Sequence, residues 1–412
     1  MEERIQCLRC RHTAAGAGEQ PAAERIADFG AKAAAKVNAF HRSFPGYRPT
    51  PLLHLKNLAA ELGVRDICVK DESTRFGLNA FKVLGGSYAL GMYMAERLHK
   101  DISELPFDVL TGDETRRRIG DLTFVTATDG NHGRGVAWTA AQLRQNCVVY
   151  MPAGSSPERL ANIRAQGAEA SITDLNYDGA VRLAAAQAEK NGWVLVQDTA
   201  WDGNEQIPRW IMQGYTSMVH EMAEQLGSVK PTHVFLQAGV GAMAGAVTAC
   251  LCDRYRGAEK PIVVIVEPEA ADCFYRTAKA ADGQRHFVTG EMSTIMAGLA
   301  CGEPCTIGWD ILREEADYFV SMPDRVAAVG MRVLSGSIGD DPRVISGESG
   351  AAGFGLAVTA LRGANAGRLR EQLELNKNSV ILCISTEGAT DRENWRRIVW
   401  DGAYAADRVT ED

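Results

Sequence analysis

The sequence of 412 residues lacks a long hydrophobic run: none approaches the roughly 18 residues needed to cross a bilayer. It begins Met1-Glu-Glu-Arg, without the apolar segment of a secretory signal, so we expect a cytoplasmic protein. Basic residues are also in deficit, with 44 Lys and Arg against 52 Asp and Glu and a formal net charge of −8. Such a surface repels polyphosphates, so we expect no nucleic acid partner and no membrane partner.

Cysteine is scarce as well, because ten residues are too few for a disulfide scaffold in a chain of this length. Cys7 and Cys10 have the spacing of half a zinc or redox site, but no second pair of this kind accompanies them. We therefore predict no metal site. The other close pairs are expected to be free thiols: Cys250 with Cys252, and Cys301 with Cys305.

The remaining composition is that of a large globular protein. Hydrophobic residues make up 46% and charged residues 23%, which excludes a disordered chain, a coiled coil and a collagen-like repeat. The length exceeds the roughly 100–200 residues of one domain, so two domains are expected.

Apolar runs recur along the chain with helical patterns between them. Most are continuous rather than alternating, which predicts strands covered on both faces. Repeated β–α–β order predicts an α/β fold with parallel sheets. The predicted strands are Ile67–Lys70, Leu122–Thr128, Cys147–Met151, Val194–Gln197, His233–Gln237, Ile262–Glu267 and Val380–Ser385.

Three other segments have local signals. Ser155 or Ser156 as N-cap, Pro157 in the first turn and Gly167 past the end predict one helix. The Ala-rich stretch 31–35 is typical of a helix. Residues 101–118 mix acids with three consecutive arginines and have no periodicity, so we predict a surface loop there.

A glycine-marked turn follows the strand His233–Gln237. Gly239, Gly241 and Gly245 lead into a helical pattern, and such a turn offers N–H groups and a positive helix end to a phosphate. The spacing also allows a dinucleotide site, with Glu267 as the acid that binds ribose. A third interpretation is a tight turn with no ligand.

A second turn, Thr126-Ala-Thr-Asp-Gly-Asn-His-Gly, also joins a strand to a helix. Asp129 stands near the start of that helix, where an N-cap is the simplest interpretation. His132 is either a hydrogen-bond donor at the helix start or a catalytic group.

The third position is Lys82, which stands at the start of a helical pattern between Phe81 and Val83. A helix N-terminus and apolar neighbours both favour the neutral amine, as a Schiff-base lysine requires. The alternative is a surface lysine with no chemical role.

In this order, Phe81-Lys-Val-Leu-Gly-Gly, Asp129-Gly-Asn-His-Gly and Gly239-Val-Gly-Ala-Met-Ala-Gly resemble the fold-type II pyridoxal-phosphate (PLP) enzymes. This group includes threonine dehydratase and tryptophan synthase β, and the resemblance covers roughly residues 45–390. It implies two doubly wound open-sheet domains with the cofactor in the cleft between them. The implied large PLP-binding domain comprises residues 1–84 and 226–412, and the smaller α/β domain residues 85–225.

The resemblance also implies roles for individual residues. Lys82 would hold PLP as an aldimine, and Asn131 would contact its 3′ oxygen. Ser385, or its neighbour Thr386, would face the pyridine nitrogen. The remaining contacts implied are Gly239, Val240, Gly241, Ala242, Met243 and Gly245 for the phosphate, and Thr128, Asp129 and His132 for the substrate.

One departure narrows the function. The dehydratases usually have Ser-Gly-Asn-His, whereas this chain has Asp129-Gly-Asn-His. That turn, the lysine segment and Ser346-Gly-Glu-Ser-Gly-Ala-Ala-Gly resemble the diaminopropionate ammonia-lyases. Members convert both enantiomers of 2,3-diaminopropionate to pyruvate and ammonia, so Asp129 would be the base for the D form and Asp198 the base for the L form. A homodimer is usual among relatives.

Three alternatives to this function stay open. A serine or threonine dehydratase shares every feature except a need for Asp129. A dinucleotide-dependent oxidoreductase would use the Gly239 turn and Glu267, but it leaves Lys82 without a role. A ligand-binding relative without catalysis would not need an intact Lys82.

Overall fold

The computed structural model describes residues 5–10, 26–128, 130–363 and 366–405. In this part of the chain eleven strands form two sheets. The strands are β1 Gln6–Arg9, β2 Leu52–His54, β3 Asp66–Asp71, β4 Thr123–Ala127, β5 Asn146–Met151, β6 Glu169–Ile172, β7 Val194–Leu195, β8 His233–Gln237, β9 Ile262–Pro268, β10 Tyr318–Met322 and β11 Val380–Ser385.

Helices connect these strands and cover both sheets. Within the same described ranges they are α1 Ala31–Arg42, α2 Lys56–Glu61, α3 Val83–Leu98, α4 Phe107–Leu110, α5 Asp113–Ile119, α6 Asn131–Gln142, α7 Pro157–Arg164, α8 Tyr177–Asn191, α9 Gln206–Leu226, α10 Ala242–Arg254, α11 Cys273–Ala280, α12 Thr306–Glu315, α13 Asp324–Gly336, α14 Ala352–Leu361, α15 Ala366–Gln372 and α16 Arg392–Val399. No helix among the described residues is both long enough and apolar enough to span a membrane.

The large sheet has the order β1-β10-β9-β8-β11-β3-β2. Its inner pairs are parallel, and only the edge strands β1 and β2 run antiparallel to their neighbours. Along β11, Ile381 and Cys383 belong to one apolar cluster while Leu382 and Ile384 belong to another. Both faces of the sheet are therefore buried, which explains the continuous apolar runs in the sequence.

The small sheet has the order β6-β5-β4-β7, and all its pairs are parallel. Its strands lie between residues 123 and 195, whereas the strands of the large sheet come from residues 6–71 and 233–385. The α/β fold with two open sheets is thus confirmed, although only the small sheet is wholly parallel, because the large sheet has antiparallel edge strands. The predicted domain boundaries after residues 84 and 225 fall inside α3 and α9, and they stay a prediction.

All seven predicted strands are present, with small differences at their ends. Strands β1, β2 and β6 were missed because they are short and lie at sheet edges, where a strand needs no apolar run. Strand β10 was missed although all five of its residues are buried. The predicted helix after Ser156 is α7, which has Pro157 at its first position, and the stretch 31–35 opens α1.

The predicted surface loop at residues 101–118 is wrong, because the segment contains a 3-10 turn and the helices α4 and α5. Asp101 and Glu104 form a reciprocal capping box at the first turn. Helix α5 begins with Asp113 and Glu114 and ends with arginines, an arrangement that its dipole favours. Helices this short do not show the periodic spacing of apolar residues that a longer helix has, so the sequence pattern did not predict them.

Candidate active site

A cavity of about 680 Å³ lies where segments that follow strands of both sheets meet. Its wall includes Asn131, which opens the helix after β4, Asp198 after β7, and Thr386 at the end of β11. The turn after β8 forms another part of the wall. Ligands of open parallel sheets bind at this carboxyl edge of the strands, so the cavity is the candidate active site.

Lys82 immediately precedes α3 and lines the cavity. Its ammonium forms an ion pair with the carboxylate of Asp198 and lies 5.6 Å from the centre of the Phe81 ring. About 20% of the lysine side chain is exposed, so the amine can be reached from the cavity. The position at a helix N-terminus agrees with the prediction from the sequence.

Asp198 is buried beside this lysine and also accepts a hydrogen bond from the hydroxyl of Tyr177, at 3.4 Å. Burial alone would raise the pKa of its carboxyl, but the charges of Lys82 and His132 oppose it and hold the pKa at about 2. Asp198 is therefore ionised at neutral pH, as a general base must be.

The glycine turn after β8 belongs to a continuous run from Gln237 to Ala244 that lines the cavity, and this run includes Gly239, Val240, Gly241, Ala242 and Met243. Gly241 caps α10 with a φ of 83°, and a Cβ there would come within 2.2 Å of the Phe274 ring. Only glycine fits this position. The N–H groups of the first turn of α10 have no intrahelical acceptor, which makes the turn a suitable cradle for phosphate.

Gly245 lies one turn further into α10 and does not line the cavity. A Cβ on it would come within 3.0 Å of the Cα of Gly308 in α12. The structure thus gives Gly245 a role in the close packing of two helices. Its predicted contact with a cofactor phosphate has no support in this geometry.

The predicted substrate contacts at the start of α6 lie in different places. Thr128 is buried, and its hydroxyl accepts hydrogen bonds from the N–H groups of Gly130 and Gly133 at 3.0 and 3.2 Å, so it caps the helix. His132 is buried, with Nε2 2.8 Å from the carbonyl oxygen of Val196. Neither lines the cavity. Asp129 lies outside the described residues.

Strand β11 brings two hydroxyl side chains to this region. Ser385 lies 2.8 Å from the hydroxyl of Ser346 and does not line the cavity. Thr386 does line it, and its hydroxyl accepts a hydrogen bond from Gln237 at 3.0 Å. The geometry favours Thr386 over Ser385 as the hydroxyl that faces the cavity.

Two buried carboxylates of the wall, Glu348 and Glu387, were not predicted as site residues. Glu387 accepts a hydrogen bond from the amide of Asn131. Glu348 accepts one from Asn394, and burial, followed by the charge of Glu387, raises its pKa to about 7. Glu387 lies two residues after the end of a predicted strand, and that position was the available signal. Glu348 lies in the segment Ser346-Gly-Glu-Ser-Gly-Ala-Ala-Gly, whose resemblance to the family implied no role for this residue.

Glu267, the acid required by the dinucleotide alternative, lies outside the cavity. Its carboxylate accepts hydrogen bonds from the N–H groups of Phe274 and Tyr275 at 2.8 and 2.7 Å. It is fully buried, and burial raises its pKa to about 8. Glu267 therefore caps α11, and the oxidoreductase interpretation loses its ribose-binding acid.

Among the residues that the structure describes, one cluster has ligand atoms close enough for a metal: His54, Asp66 and Cys68 on the paired strands β2 and β3. The carboxylate of Asp66 already accepts hydrogen bonds from Lys56 and His54, at 2.5 and 2.9 Å. These contacts compensate its charge without a metal ion.

The structure contains no disulfide among the ten cysteines, and Cys7 lies in β1.

The comparison with family models matches residues 43–387 to the pyridoxal-phosphate dependent enzymes. Over 380 residues the chain is 52% identical to the diaminopropionate ammonia-lyase of Escherichia coli strain K12. That match covers 92% of this chain and 94% of the relative.

Solved structures of the Escherichia coli diaminopropionate ammonia-lyase are also similar to this fold. The complex with D-serine matches with a TM-score of 0.89 at 48% identity, covering 98% of both chains. The complex with an aminoacrylate-PLP azomethine reaction intermediate matches with a TM-score of 0.88 at 48% identity, covering 98% of this chain and 99% of the other.

Proposed function

Because the chain belongs to the diaminopropionate ammonia-lyases within the pyridoxal-phosphate dependent enzymes, we propose that it eliminates ammonia from 2,3-diaminopropionate to give pyruvate. Both D and L enantiomers are its substrates. The observation that carries the proposal is the ion pair of Lys82 and Asp198, inside a cavity that also contains the glycine turn.

The residues of the cavity fit PLP. Lys82 would hold the cofactor covalently, and the turn from Gly239 to Met243 would hold its phosphate, supported by the N–H groups of the first turn of α10, which have no intrahelical acceptor. Asn131 would donate to the ring oxygen, and Thr386, which lines the cavity where Ser385 does not, would approach the ring nitrogen. When bound, PLP supplies an electron sink for the bond broken at Cα.

Asp198 is a base for the Cα proton of the L enantiomer. Its ionised carboxylate and its position on the cavity wall support this role. Lys82 lies next to it, so the lysine amine and the carboxylate can exchange a proton.

Asp129 is the base for the D enantiomer. Two enantiomers anchored by the same amine and carboxylate present their Cα hydrogens in opposite directions, so one base cannot serve both. The support for Asp129 is its place in the sequence, two residues before Asn131, which lines the cavity.

The N-terminus of α6 is where the substrate carboxylate binds. Thr128 already occupies the N–H groups of Gly130 and Gly133, so we assign the anion to the other N–H groups at Asn131 and His132. Thr128 and His132 then act by shaping the turn, because neither side chain lines the cavity.

The leaving group distinguishes this reaction from dehydration. The Cβ–N bond breaks with its electron pair on nitrogen, so the β-amine must leave protonated, as ammonia. The aminoacrylate that remains hydrolyses to pyruvate and releases a second ammonia. The aspartate that has taken the Cα proton, or a water, supplies the proton that the departing nitrogen needs.

Product stoichiometry and substrate preference test the proposal. The purified protein with PLP should release two molecules of ammonia for each pyruvate from diaminopropionate, at a kcat/KM well above the values for serine and threonine. A preference for serine or threonine would make the protein a dehydratase and would contradict the proposal.

We also propose, from the family alone, that the protein is a homodimer and acts in the cytoplasm. Homodimers with twofold symmetry are the commonest soluble oligomers. Light scattering after size exclusion should give twice the mass of the chain, and a monomer mass would contradict the dimer.

A further inference from the structure

Glu387 occupies an unusual position on the cavity wall. It lies two residues after the end of β11 and is only 3% exposed, yet it lines the cavity. The carboxylate accepts hydrogen bonds from the side-chain amide of Asn131, from the N–H of Ser349 at 3.2 Å and from the hydroxyl of Thr390 at 3.3 Å. All three donors are neutral groups, so these contacts are hydrogen bonds and not ion pairs.

The backbone around Glu387 is fixed on both sides. The carbonyl of Thr386 accepts from the N–H of Phe81 at 3.1 Å, and the N–H of Gly388 donates to the carbonyl of Asn79 at 3.0 Å. These bonds tie the segment to the residues just before Lys82. The carbonyl of Glu387 also accepts from the N–H of Gly347 at 2.9 Å. Glu387 therefore has a defined place relative to the lysine.

The contact with Asn131 determines which way that amide points. A carboxylate only accepts hydrogen bonds, so the amide must turn its NH₂ group toward Glu387. The flipped amide would place its oxygen against a carboxylate oxygen. Because the NH₂ group has two N–H donors, one remains for another acceptor after the contact with Glu387 is made.

We propose that Glu387 is a positioning residue that fixes the amide of Asn131 so that it donates an N–H to the ring oxygen of the bound cofactor. This rests on the proposed function, which assigns PLP to the cavity. The charge of Glu387 strengthens the hydrogen bond from Asn131, since a bond to an ionised acceptor is roughly twice as strong as a neutral one.

Glu348 provides the matched control. It is a glutamate of the same wall, it is also buried, and its carboxylate accepts from an asparagine amide, that of Asn394. Within the described part of the chain, its amide partner is Asn394 and not Asn131. The change of Glu348 to glutamine therefore removes a carboxylate from the same cavity without releasing the Asn131 amide.

A double-mutant cycle tests the coupling. The test cycle compares wild type, Glu387→Gln, Asn131→Ala and the double variant of these two changes. The control cycle replaces Glu387→Gln by Glu348→Gln, which is measured alone and combined with Asn131→Ala. The readouts are the dissociation constant of PLP and the pH titration of the visible absorption of bound PLP. Neither readout depends on turnover.

We expect Glu387→Gln to weaken PLP binding about tenfold, because a glutamine no longer dictates the orientation of Asn131. It should also shift the pH midpoint of the absorption change. In the Asn131→Ala background the same change should have less than about a twofold effect, since the residue through which Glu387 acts is gone. The Glu348→Gln effect should be the same in both backgrounds.

If Glu387→Gln weakens PLP binding equally with and without Asn131, the positioning role is overturned. The proposed function stays intact in that case, provided that wild type binds PLP. If wild type bound no PLP, the proposed function would fail first. If Glu387→Gln does not fold, Glu387→Asp keeps the carboxylate, and the cycle is run with it. Its effect on PLP binding should then also disappear in Asn131→Ala, and an undiminished effect would overturn the role.

Discussion

Lys82 and Asp198 form an ion pair in the cavity although 116 residues separate them in the chain. One stands before α3 and the other follows β7 of the small sheet. The pair joins the amine that would bind the cofactor to the carboxylate that would take the substrate proton. The lysine charge also lowers the pKa of Asp198.

Lys82→Ala should leave the protein folded but unable to bind PLP covalently. The imine requires this amine, so borohydride treatment followed by mass spectrometry should find no labelled peptide. Loss of the lysine charge should also raise the pKa of Asp198 above about 2, because burial raises this pKa and the lysine charge no longer lowers it.

The control is Lys36→Ala, which removes an exposed lysine paired with Asp101. After borohydride treatment, this variant should give the same PLP-labelled peptide as wild type. Reducible PLP in Lys82→Ala at the wild-type level would remove Lys82 from the mechanism.

Gly241→Ala should weaken PLP binding and lower the melting temperature. Its φ of 83° disfavours any side chain, and a Cβ would contact the Phe274 ring, so the turn must distort. Gly336→Ala is the control, because nothing lies within 4 Å of a Cβ there. An unchanged dissociation constant for PLP in Gly241→Ala would show that the turn does not hold the phosphate.

Glu267 should make the protein less stable as the pH rises. Burial raises the pKa of its carboxyl from the usual 4.5 to about 8, so the native state binds more protons than the unfolded state between these values. The stabilisation is complete below about pH 4.5 and is lost as the pH passes through 8.

Glu267→Gln removes this titration. The melting temperature of the variant minus that of wild type should therefore rise between about pH 5 and 8. A difference that is constant across this range would mean that Glu267 titrates normally.

Glu221→Gln should lower the free energy of unfolding by about 3–5 kcal/mol, the usual cost of breaking a buried ion pair. Its carboxylate pairs with Lys70 and Arg75 at 2.7 Å each, and all three side chains are fully buried. Urea denaturation measures the change.

Glu224→Gln in the same helix is the control, since its pair with Arg42 is about half exposed and should contribute about 1 kcal/mol or less. Equal losses in the two variants would show that burial does not determine the strength of these pairs.

The inner strands were predictable because burial on both faces leaves continuous apolar runs, as in His233–Gln237 and Val380–Ser385. The edge strands β1 and β2 were not, because their neighbours and not their own residues decide their conformation. The helices at residues 107–119 were missed for a related reason: caps and charges specify them, and no apolar stripe does.

The site residues were predictable where the residue type and its position together indicate one chemical role. Lys82 at a helix start and glycines after a strand are such cases. Sequence spacing could not show that Ser385 turns toward Ser346 and leaves the cavity to Thr386. Nor could it show that Asn131 and Glu387 meet, because this contact depends on the packing of the two sheets' loops.

The turnover of each enantiomer by Asp129→Asn and Asp198→Asn tests most directly whether two carboxylates serve one site from opposite sides. Asp129→Asn should abolish turnover of D-diaminopropionate and spare much of the L activity. Asp198→Asn should reduce the L activity more, by the factor of about 10²–10⁴ typical of a lost general base. Pyruvate release, measured separately for the two enantiomers, gives the result. Equal losses on both enantiomers in each variant would contradict two separate bases.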